Sequence, residues 1–258
     1  MLTSENYYSP EMQRKYMSVS QFKAFEKCPA AALAELKDEY VRAPSQALLI
    51  GSYVDAYFEG TLGEFKAAHG EIFKRDGTLK AEYINADKMI ARAVRDKLFM
   101  DFMSGDKQVI MTGRIGGVDV KIKIDSYCGD KIVDLKTVRS FEPVYVAGHG
   151  YESFITAWGY DLQGAVYREI VRQNTGKTLP FYLACITKEA VPDIDIIEIS
   201  GAVLDRALER FESSVQFYDG IKRAVFEPEG CGGCDYCKAV KILTKPTIFD
   251  LDMEDFDD

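Results

Sequence analysis

The chain has few histidines, a single tryptophan and no long apolar run. Its 258 residues include two histidines and one tryptophan, and no apolar stretch reaches the roughly 18 residues that a membrane-spanning helix needs. Residues 1–20 are polar and charged and lack the apolar core of a secretory signal. We therefore expect no membrane partner and a cytoplasmic location.

Positive charge is also scarce, since the formal net charge is −9. The last nine residues contain no base and hold six of the acids: Asp250, Asp252, Glu254, Asp255, Asp257 and Asp258. Without this segment the chain is close to neutral, so charge neither supports nor excludes DNA as a partner. We expect residues 1–245 to form one domain and residues 246–258 to be an acidic disordered tail.

Three of the six cysteines are closely spaced near the end of the chain. Cys231, Cys234 and Cys237 follow a C-x2-C-x2-C pattern, which in a reducing compartment indicates metal ligands and not disulfides. Zinc and iron–sulfur clusters both accept four thiolates, so both stay open. A fourth ligand is expected from the remaining cysteines: Cys28, Cys128 and Cys185.

Hydrophobic periodicity predicts an α/β core with a mixed sheet. Helices are expected at 20–39, 46–59, 79–103, 151–175 and 201–224. Strands are expected at 107–137, 180–188 and 193–199. The first strand segment alternates with period two and is punctuated by glycines, which predicts a three-stranded antiparallel meander. Ser20 is the expected N-cap of the first helix, which should break at Cys28 because Pro29 follows.

The last turn of the meander predicts an unusual pairing of acids. If residues 129–130 form a two-residue hairpin loop, Tyr127 opposes Ile132 and Asp125 opposes Asp134. Opposed residues share one face of the hairpin, and like charges there are destabilising unless something neutralises them. We therefore expect the two carboxylates to meet at one patch.

A divalent cation would neutralise that patch. Lys136 lies two residues after Asp134 and shares its face, whereas Val133 and Leu135 are expected to point into the core. Mg²⁺ and Mn²⁺ prefer oxygen ligands and, near phosphate, activate water and stabilise developing charge. The alternative is a solvated strand face where these charges meet by accident.

The segments "GRIGGVDVKIKID" and "IVDLKT" resemble the core of the PD-(D/E)XK nuclease superfamily, in its RecB-like and RecE-like branch. In that pattern an Asp ends one strand and an acid-x-Lys sequence follows in the next, which Asp125, Asp134 and Lys136 match. The resemblance implies a restriction-endonuclease-like fold, with a central mixed sheet and antiparallel meander flanked by helices. It also implies metal-dependent hydrolysis of DNA phosphodiesters.

The helix after the hairpin extends the resemblance. Tyr160, Gln163 and Tyr167 share one helical face, and the last two match the family's Gln-x-x-x-Tyr motif. The resemblance implies that Gln163 and Tyr167 belong to the catalytic site, and we expect Tyr160 and Lys188 to contact DNA. The alternatives are tyrosines in the core and a solvated Lys188.

The family's third metal ligand is a histidine in a Gly-x-x-x-His pattern. Here Gly51 is followed by Asp55, so the alignment implies that Asp55 replaces the histidine as a ligand of Mg²⁺ or Mn²⁺. Neither His69 nor His149 fits this position, which argues against histidine acid–base chemistry. The alternative for Asp55 is an exposed helix position.

The segment "SVSQFKAFEKCPAAAL" resembles the opening of iron–sulfur nucleases, namely AddB-type subunits and nucleases of CRISPR adaptation. In those families one N-terminal cysteine joins three C-terminal ones around a 4Fe–4S cluster. Cys28 would then join Cys231, Cys234 and Cys237. The last cysteine gap is shorter here than in those families, which keeps structural zinc as an alternative.

Together these motifs predict a phage-type DNA exonuclease. It would resect duplex ends for homologous recombination in the host cytoplasm, with 5′-to-3′ polarity, and would supply single strands to an annealing recombinase. That recombinase could dock on the acidic tail, and a homo-oligomer is an open expectation. The alternatives are an end-trimming nuclease of the CRISPR-adaptation type and a degenerate nuclease fold that only binds DNA or protein.

Overall fold

A computed structural model of the chain describes residues 2–43 and 45–248, with a four-stranded mixed sheet at its centre. The strands are β1 (Val109–Ile115), β2 (Val118–Ile124), β3 (Ser126–Tyr127), β4 (Ile132–Val138), β5 (Val144–Val146), β6 (Gly150–Glu152), β7 (Phe181–Thr187) and β8 (Ile194–Ile199). The central sheet has the order β3-β4-β7-β8, in which β4 and β7 are parallel and the outer pairs antiparallel. β1 and β2 form one antiparallel hairpin, and β5 and β6 form another.

Helices precede, interrupt and follow these strands. They are α1 (Pro10–Lys15), α2 (Val19–Lys27), α3 (Pro29–Leu36), α4 (Gln46–Glu59), α5 (Leu62–Ala68), α6 (Ala81–Val94), α7 (Lys97–Phe102), α8 (Phe154–Ala157), α9 (Tyr160–Thr175), α10 (Gly201–Lys222) and α11 (Asp235–Ala239). The described part of the chain thus has the predicted α/β architecture with a mixed sheet. Among these residues, no helix is both long and apolar enough to cross a membrane.

Different helices cover the two faces of the central sheet. Ile132 and Leu183 belong to the core that α2, α9 and α10 cover, whereas Val133, Leu135 and Ala184 belong to the core under α4 and α6. The prediction that Val133 and Leu135 point into the core is confirmed. Alternate residues of β4 therefore face different helices, which places its even-numbered side chains opposite α9.

Three predicted helix boundaries were wrong, and local capping explains two of them. Ser18, not Ser20, caps α2, because its hydroxyl accepts the backbone N–H of Gln21 at 3.3 Å. The segment 79–103 is two helices, since Asp96 caps a new one, α7. The break at Cys28 before Pro29 is confirmed.

The predicted helix at 151–175 also starts later than expected. Its first residues form β6 and the single turn α8, and α9 begins only at Tyr160. Gly159 separates the two helices with a φ of 62°, a left-handed conformation that suits glycine. The break directs α9 across the central sheet.

The hairpin register is confirmed, but the meander is interrupted. Tyr127 pairs with Ile132 and Ser126 with Val133, as a loop at 129–130 requires. The middle strand of the predicted meander is split at Asp125, between β2 and β3. β1 and β2 consequently form a separate hairpin beside the central sheet.

Gly164 allows α9 to approach the central sheet closely, and we predict that Gly164→Ala destabilises the protein. A Cβ at this position would lie 2.5 Å from the Phe181 ring and 2.9 Å from Leu204. We expect a loss of about 1–3 kcal/mol in the free energy of unfolding, measured by urea denaturation. The control is Gly63→Ala in α5, where a Cβ meets nothing within 4 Å. Equal stability of the two variants would contradict this packing.

Candidate active site

The central strand β4 buries a carboxylate. Asp134 is 1% exposed, its Oδ1 accepts a hydrogen bond of 2.7 Å from Gln163 Nε2, and its Oδ2 pairs with the Lys136 amine. Burial raises the pKa of Asp134 to about 7, against the opposing effect of the Lys136 charge and with a further rise from Asp125. The protein thus retains a carboxyl group whose ionisation in the folded state is costly.

Asp125 lies where the strand is interrupted. Its Oδ2 accepts the backbone N–H of Leu135 at 3.0 Å, so a side chain and not a backbone carbonyl bonds to β4 here. Its Oδ1 accepts a bond of 3.3 Å from Gln108 Nε2. Gln108 has a φ of 54°, a strained conformation for a residue other than glycine. These two bonds orient the Asp125 carboxylate beside Asp134.

Asp55 approaches the same site from α4. It lines one cleft together with Asp125 and Asp134 and is half-buried, so it is not the exposed helix residue of the alternative interpretation. Burial first, and then the charge of Asp125, raise its pKa well above the usual range, and Lys136 opposes the rise. Gly51 lies one turn earlier, where a Cβ would come 3.3 Å from the Thr137 hydroxyl.

The side chains of α9 hold the site together. Besides the bond from Gln163 to Asp134, the hydroxyl of Tyr167 donates to the carbonyl of Lys123 at 3.0 Å. Tyr160 supports Lys136, whose amine lies 5.3 Å from the ring centroid. Gln163 and Tyr167 also line the cleft, as the sequence motif led us to expect.

Lys188 is engaged elsewhere. Its amine donates to the carbonyl of Ala47 at 3.2 Å, at the start of α4. In this position it ties the end of β7 to the helix that carries Asp55. Its predicted contact with DNA therefore stays a prediction.

The cleft contains residues that sequence reasoning missed. It has a volume of about 750 Å³, and beside the acids it is lined by Tyr7, Tyr8, Lys121 and Lys123. The Lys121 amine donates to the Tyr7 carbonyl and lies 4.4 Å from the centroid of its ring, and burial lowers the pKa of Lys121 to about 8. The Lys123 amine lies 5.0 Å from the Tyr8 ring centroid.

A sequence signal existed for the lysines but not for the tyrosines. Lys121, Lys123 and Asp125 alternate along one strand segment and so share a face. Tyr7 and Tyr8 reach this face from the N-terminal segment, which no local pattern connects to β2.

The carboxylates fit a hard divalent cation. Asp55, Asp125 and Asp134 offer oxygen ligands in one cleft, and Asp134 Oδ2 is buried without a hydrogen-bond donor apart from its ion pair with Lys136. Burial and mutual repulsion raise the pKa of two of these acids, and a cation would relieve both effects.

The four predicted cysteine ligands also meet. Cys28, Cys231, Cys234 and Cys237 bring their sulfur atoms within 4.8 Å of one another, and no other group of His, Cys, Asp or Glu among the described residues forms such a cluster. Cys128 and Cys185 lie outside it. Of the three remaining cysteines, Cys28 is therefore the one that the fold brings to the C-terminal three.

The fold is that of the PD-(D/E)XK nuclease superfamily. Residues 18–240 match the family described as a PDDEXK-like domain of unknown function (DUF3799), and the chain belongs to this family. It is similar to the crystal structure of a protein from Eubacterium rectale that is named provisionally as an exonuclease. The two are 46% identical, with a TM-score of 0.92 and 96% of each chain covered. No curated protein matches the chain significantly.

We predict that Asp134→Asn changes how stability depends on pH in the metal-free protein. The pKa of Asp134 is about 7 in the folded state but ~3.9 in an unfolded chain, so the folded state binds the extra proton between these values. This contribution favours folding at low pH and is lost as the pH rises through about 7. The variant lacks this contribution. The free energy of unfolding of Asp134→Asn, relative to that of the wild type, therefore increases as the pH rises from about 4 to about 7.

Urea denaturation in a chelating buffer measures this difference. The control is Asp130→Asn in the hairpin turn, where the acid is exposed and pairs with Lys131 at 3.1 Å. A stability difference between wild type and Asp134→Asn that stays constant over this pH range would contradict the raised pKa.

Proposed function

We propose that the protein is a DNA exonuclease that hydrolyses phosphodiesters at duplex ends with Mg²⁺ or Mn²⁺. The observation that carries the proposal is the meeting of Asp125, Asp134 and Lys136 in one cleft. Asp55 lines the same cleft, and Gln163 donates a hydrogen bond to Asp134. Asp55, Asp125 and Asp134 would hold the cation. When bound, it would supply Lewis-acid stabilisation of charge on the phosphate and the leaving oxygen.

The lysine in this arrangement acts as a charge and not as a base. Burial lowers the pKa of Lys136, but the charges of Asp134 and Asp125 outweigh burial and raise it overall. The amine therefore keeps its proton at neutral pH, where it can stabilise phosphate oxygens and orient water as a hydrogen-bond donor. The Tyr160 ring keeps it directed at the acids.

Two carboxylate oxygens are fixed by the protein itself. The side-chain amide of Gln163 donates a hydrogen bond to Oδ1 of Asp134, and the backbone N–H of Leu135 donates one to Oδ2 of Asp125. Each acid is thereby held in one orientation before substrate arrives. Such preorganisation lowers the cost of reaching the reactive geometry.

The walls of the cleft suit a DNA strand end. Lysines that neutralise phosphates beside aromatic rings that stack on bases are typical of single-strand grooves, and Lys123 with the exposed ring of Tyr8 provides both. The buried Lys121 and Tyr7 support this pair from below. A cleft of about 750 Å³ accommodates a small ligand or a strand terminus more readily than a whole duplex. These features favour cleavage at ends over cleavage within a duplex.

The biological setting belongs to the same proposal. Resection with 5′-to-3′ polarity for phage-type recombination, with an annealing recombinase as partner, rests on the resemblance to RecE-like nucleases. The tail that would dock this partner is residues 246–258, of which 249–258 lie outside the described residues.

We predict that Asp134→Asn and Lys136→Met each lower DNA cleavage by about a hundredfold or more. The first removes a charged ligand that would hold the cation, and the second removes the ammonium that would stabilise the phosphate oxygens. The measurement is release of label from linear duplexes labelled at the 5′ or the 3′ end, with Mg²⁺ and with Mn²⁺. Asp130→Asn and Lys131→Met are matched controls, since these two residues form an acid–lysine pair at the turn of the same hairpin and do not line the cleft.

The same assay separates the alternatives. Digestion of linear but not of circular duplex supports an exonuclease, and the label released first gives the polarity. Binding of DNA without cleavage by the folded wild type would assign the degenerate binding role instead. Full activity of Asp134→Asn would reject the proposed site.

We predict that Lys123→Met weakens DNA binding with a change in its salt dependence. If the amine contacts one phosphate, the slope of log affinity against log salt concentration falls in magnitude by about one. Tyr8→Ala should instead weaken binding of single-stranded ends by about tenfold without changing this slope, because stacking is not an ionic contact.

Both variants are measured in an Asp134→Asn background without metal, so that DNA stays intact. Lys131→Met is the control for loss of a lysine outside the cleft. Unchanged slopes for Lys123→Met would place the DNA backbone elsewhere.

A further inference from the structure

The cysteine cluster joins two distant parts of the chain outside the candidate active site. Cys28 is buried at the junction between α2 and α3, where the chain is extended because Pro29 follows. Cys231 and Cys234 lie in the loop before α11, and Cys237 lies within this helix. About two hundred residues separate the two parts, so a metal that joins them would close a long loop.

The distances between the sulfur atoms discriminate between the possible metals. Cys28 Sγ lies 3.6 Å from Cys237 Sγ and 3.8 Å from Cys234 Sγ, and no pair in the cluster exceeds 4.8 Å. Tetrahedral zinc with Zn–S bonds of about 2.3 Å requires sulfur atoms about 3.8 Å apart. The four cysteines therefore surround a space that fits one ion.

An iron–sulfur cubane does not fit this space. In a 4Fe–4S cluster each thiolate binds a different iron, so the ligand sulfur atoms lie outside a four-iron core, about 6 Å apart. The largest separation here is shorter than that. Accepting the cubane would require every cysteine pair to move apart.

The backbone around the cysteines is arranged for a compact site. Backbone N–H groups of Cys231, Cys234 and Cys237 donate to the sulfur atoms of Cys28, Cys231 and Cys234, at 3.4, 3.4 and 3.5 Å. Such bonds stabilise thiolates, the form that binds metal. Gly230 permits the close turn, since a Cβ there would lie 3.0 Å from Cys237 Sγ.

We propose that Cys28, Cys231, Cys234 and Cys237 bind a single zinc ion tetrahedrally and that the site holds no iron–sulfur cluster. The ion joins the α2–α3 junction to the segment that contains α11. Residues 18–21, at the start of α2, line the cleft, and Cys28 lies at the other end of this helix. The zinc site therefore supports one wall of the candidate active site from outside.

The first experiment determines the metal in the full chain. The protein is expressed with zinc and iron both supplied, purified without oxygen, and analysed for zinc, iron and acid-labile sulfide. We expect one zinc per chain, a colourless protein and, after exchange with cobalt(II), the visible absorption of a tetrahedral thiolate site. A brown protein with iron and sulfide, or a folded protein without metal, would overturn the proposal.

The second experiment tests the ligands without depending on nuclease activity. Cys237→Ser should lose zinc and lower the melting temperature, whereas Cys128→Ser, a half-buried cysteine outside the cluster, should retain one zinc. A measurement on the wild type avoids variants that fail to fold. Stepwise modification of its thiols should release zinc in proportion to the loss of the clustered cysteines. Zinc that stays bound in Cys237→Ser, or after all thiols have reacted, would reject this ligand set.

Discussion

The burial of the Asp134 carboxylate is the constraint on which the rest of the structure depends. An ionised acid in a protein interior costs several kcal/mol unless it is paired and hydrogen-bonded. Two elements of the chain meet this requirement. Lys136, two residues further along β4, forms the ion pair, and Gln163 on α9 donates the hydrogen bond. The packing of α9 on the central sheet is therefore tied to the acid, and Gly164 lets the helix come close enough to reach it. A well-packed apolar residue would give more stability at this position, so its retention indicates function.

The pKa values of the lysines in the cleft depend on which groups adjoin them. Lys136 keeps its proton because acids adjoin it, although burial acts in the opposite direction. Burial without a neighbouring acid instead lowers the pKa of Lys121 to about 8. The two amines line the same cleft, and the adjacent acids alone make their pKa values shift in opposite directions.

Local sequence patterns predicted the residues at the centre of the site. The features that these patterns missed depend on contacts between residues far apart in the sequence. The loop at 129–130 and the period of two specify which residues of the hairpin oppose each other, so the register followed from a few residues. The split at Asp125 did not, because it depends on a side chain replacing a backbone partner of Leu135. Tyr7 lies 114 residues from Lys121, and no periodicity links positions so far apart. The capping error at α2 had a different cause, since Ser18 and Ser20 have equal intrinsic propensity and only the bond to Gln21 distinguishes them.

The break at Cys28 connects the acid site and the cysteine cluster through one local feature of the chain. Pro29 forces the preceding residue into an extended conformation, and Cys28 adopts a φ of −163°. The turn ends α2 there, so that residues 18–21 line the cleft at one end of the helix while the thiol at the other end faces the C-terminal cysteines. If α2 continued as a helix through Cys28, the two ends could not both keep their contacts. Either the Cys28 side chain would leave the other cysteines, or residues 18–21 would leave the cleft. The proline therefore has a role that neither centre reveals alone, because it lets a single helix serve both.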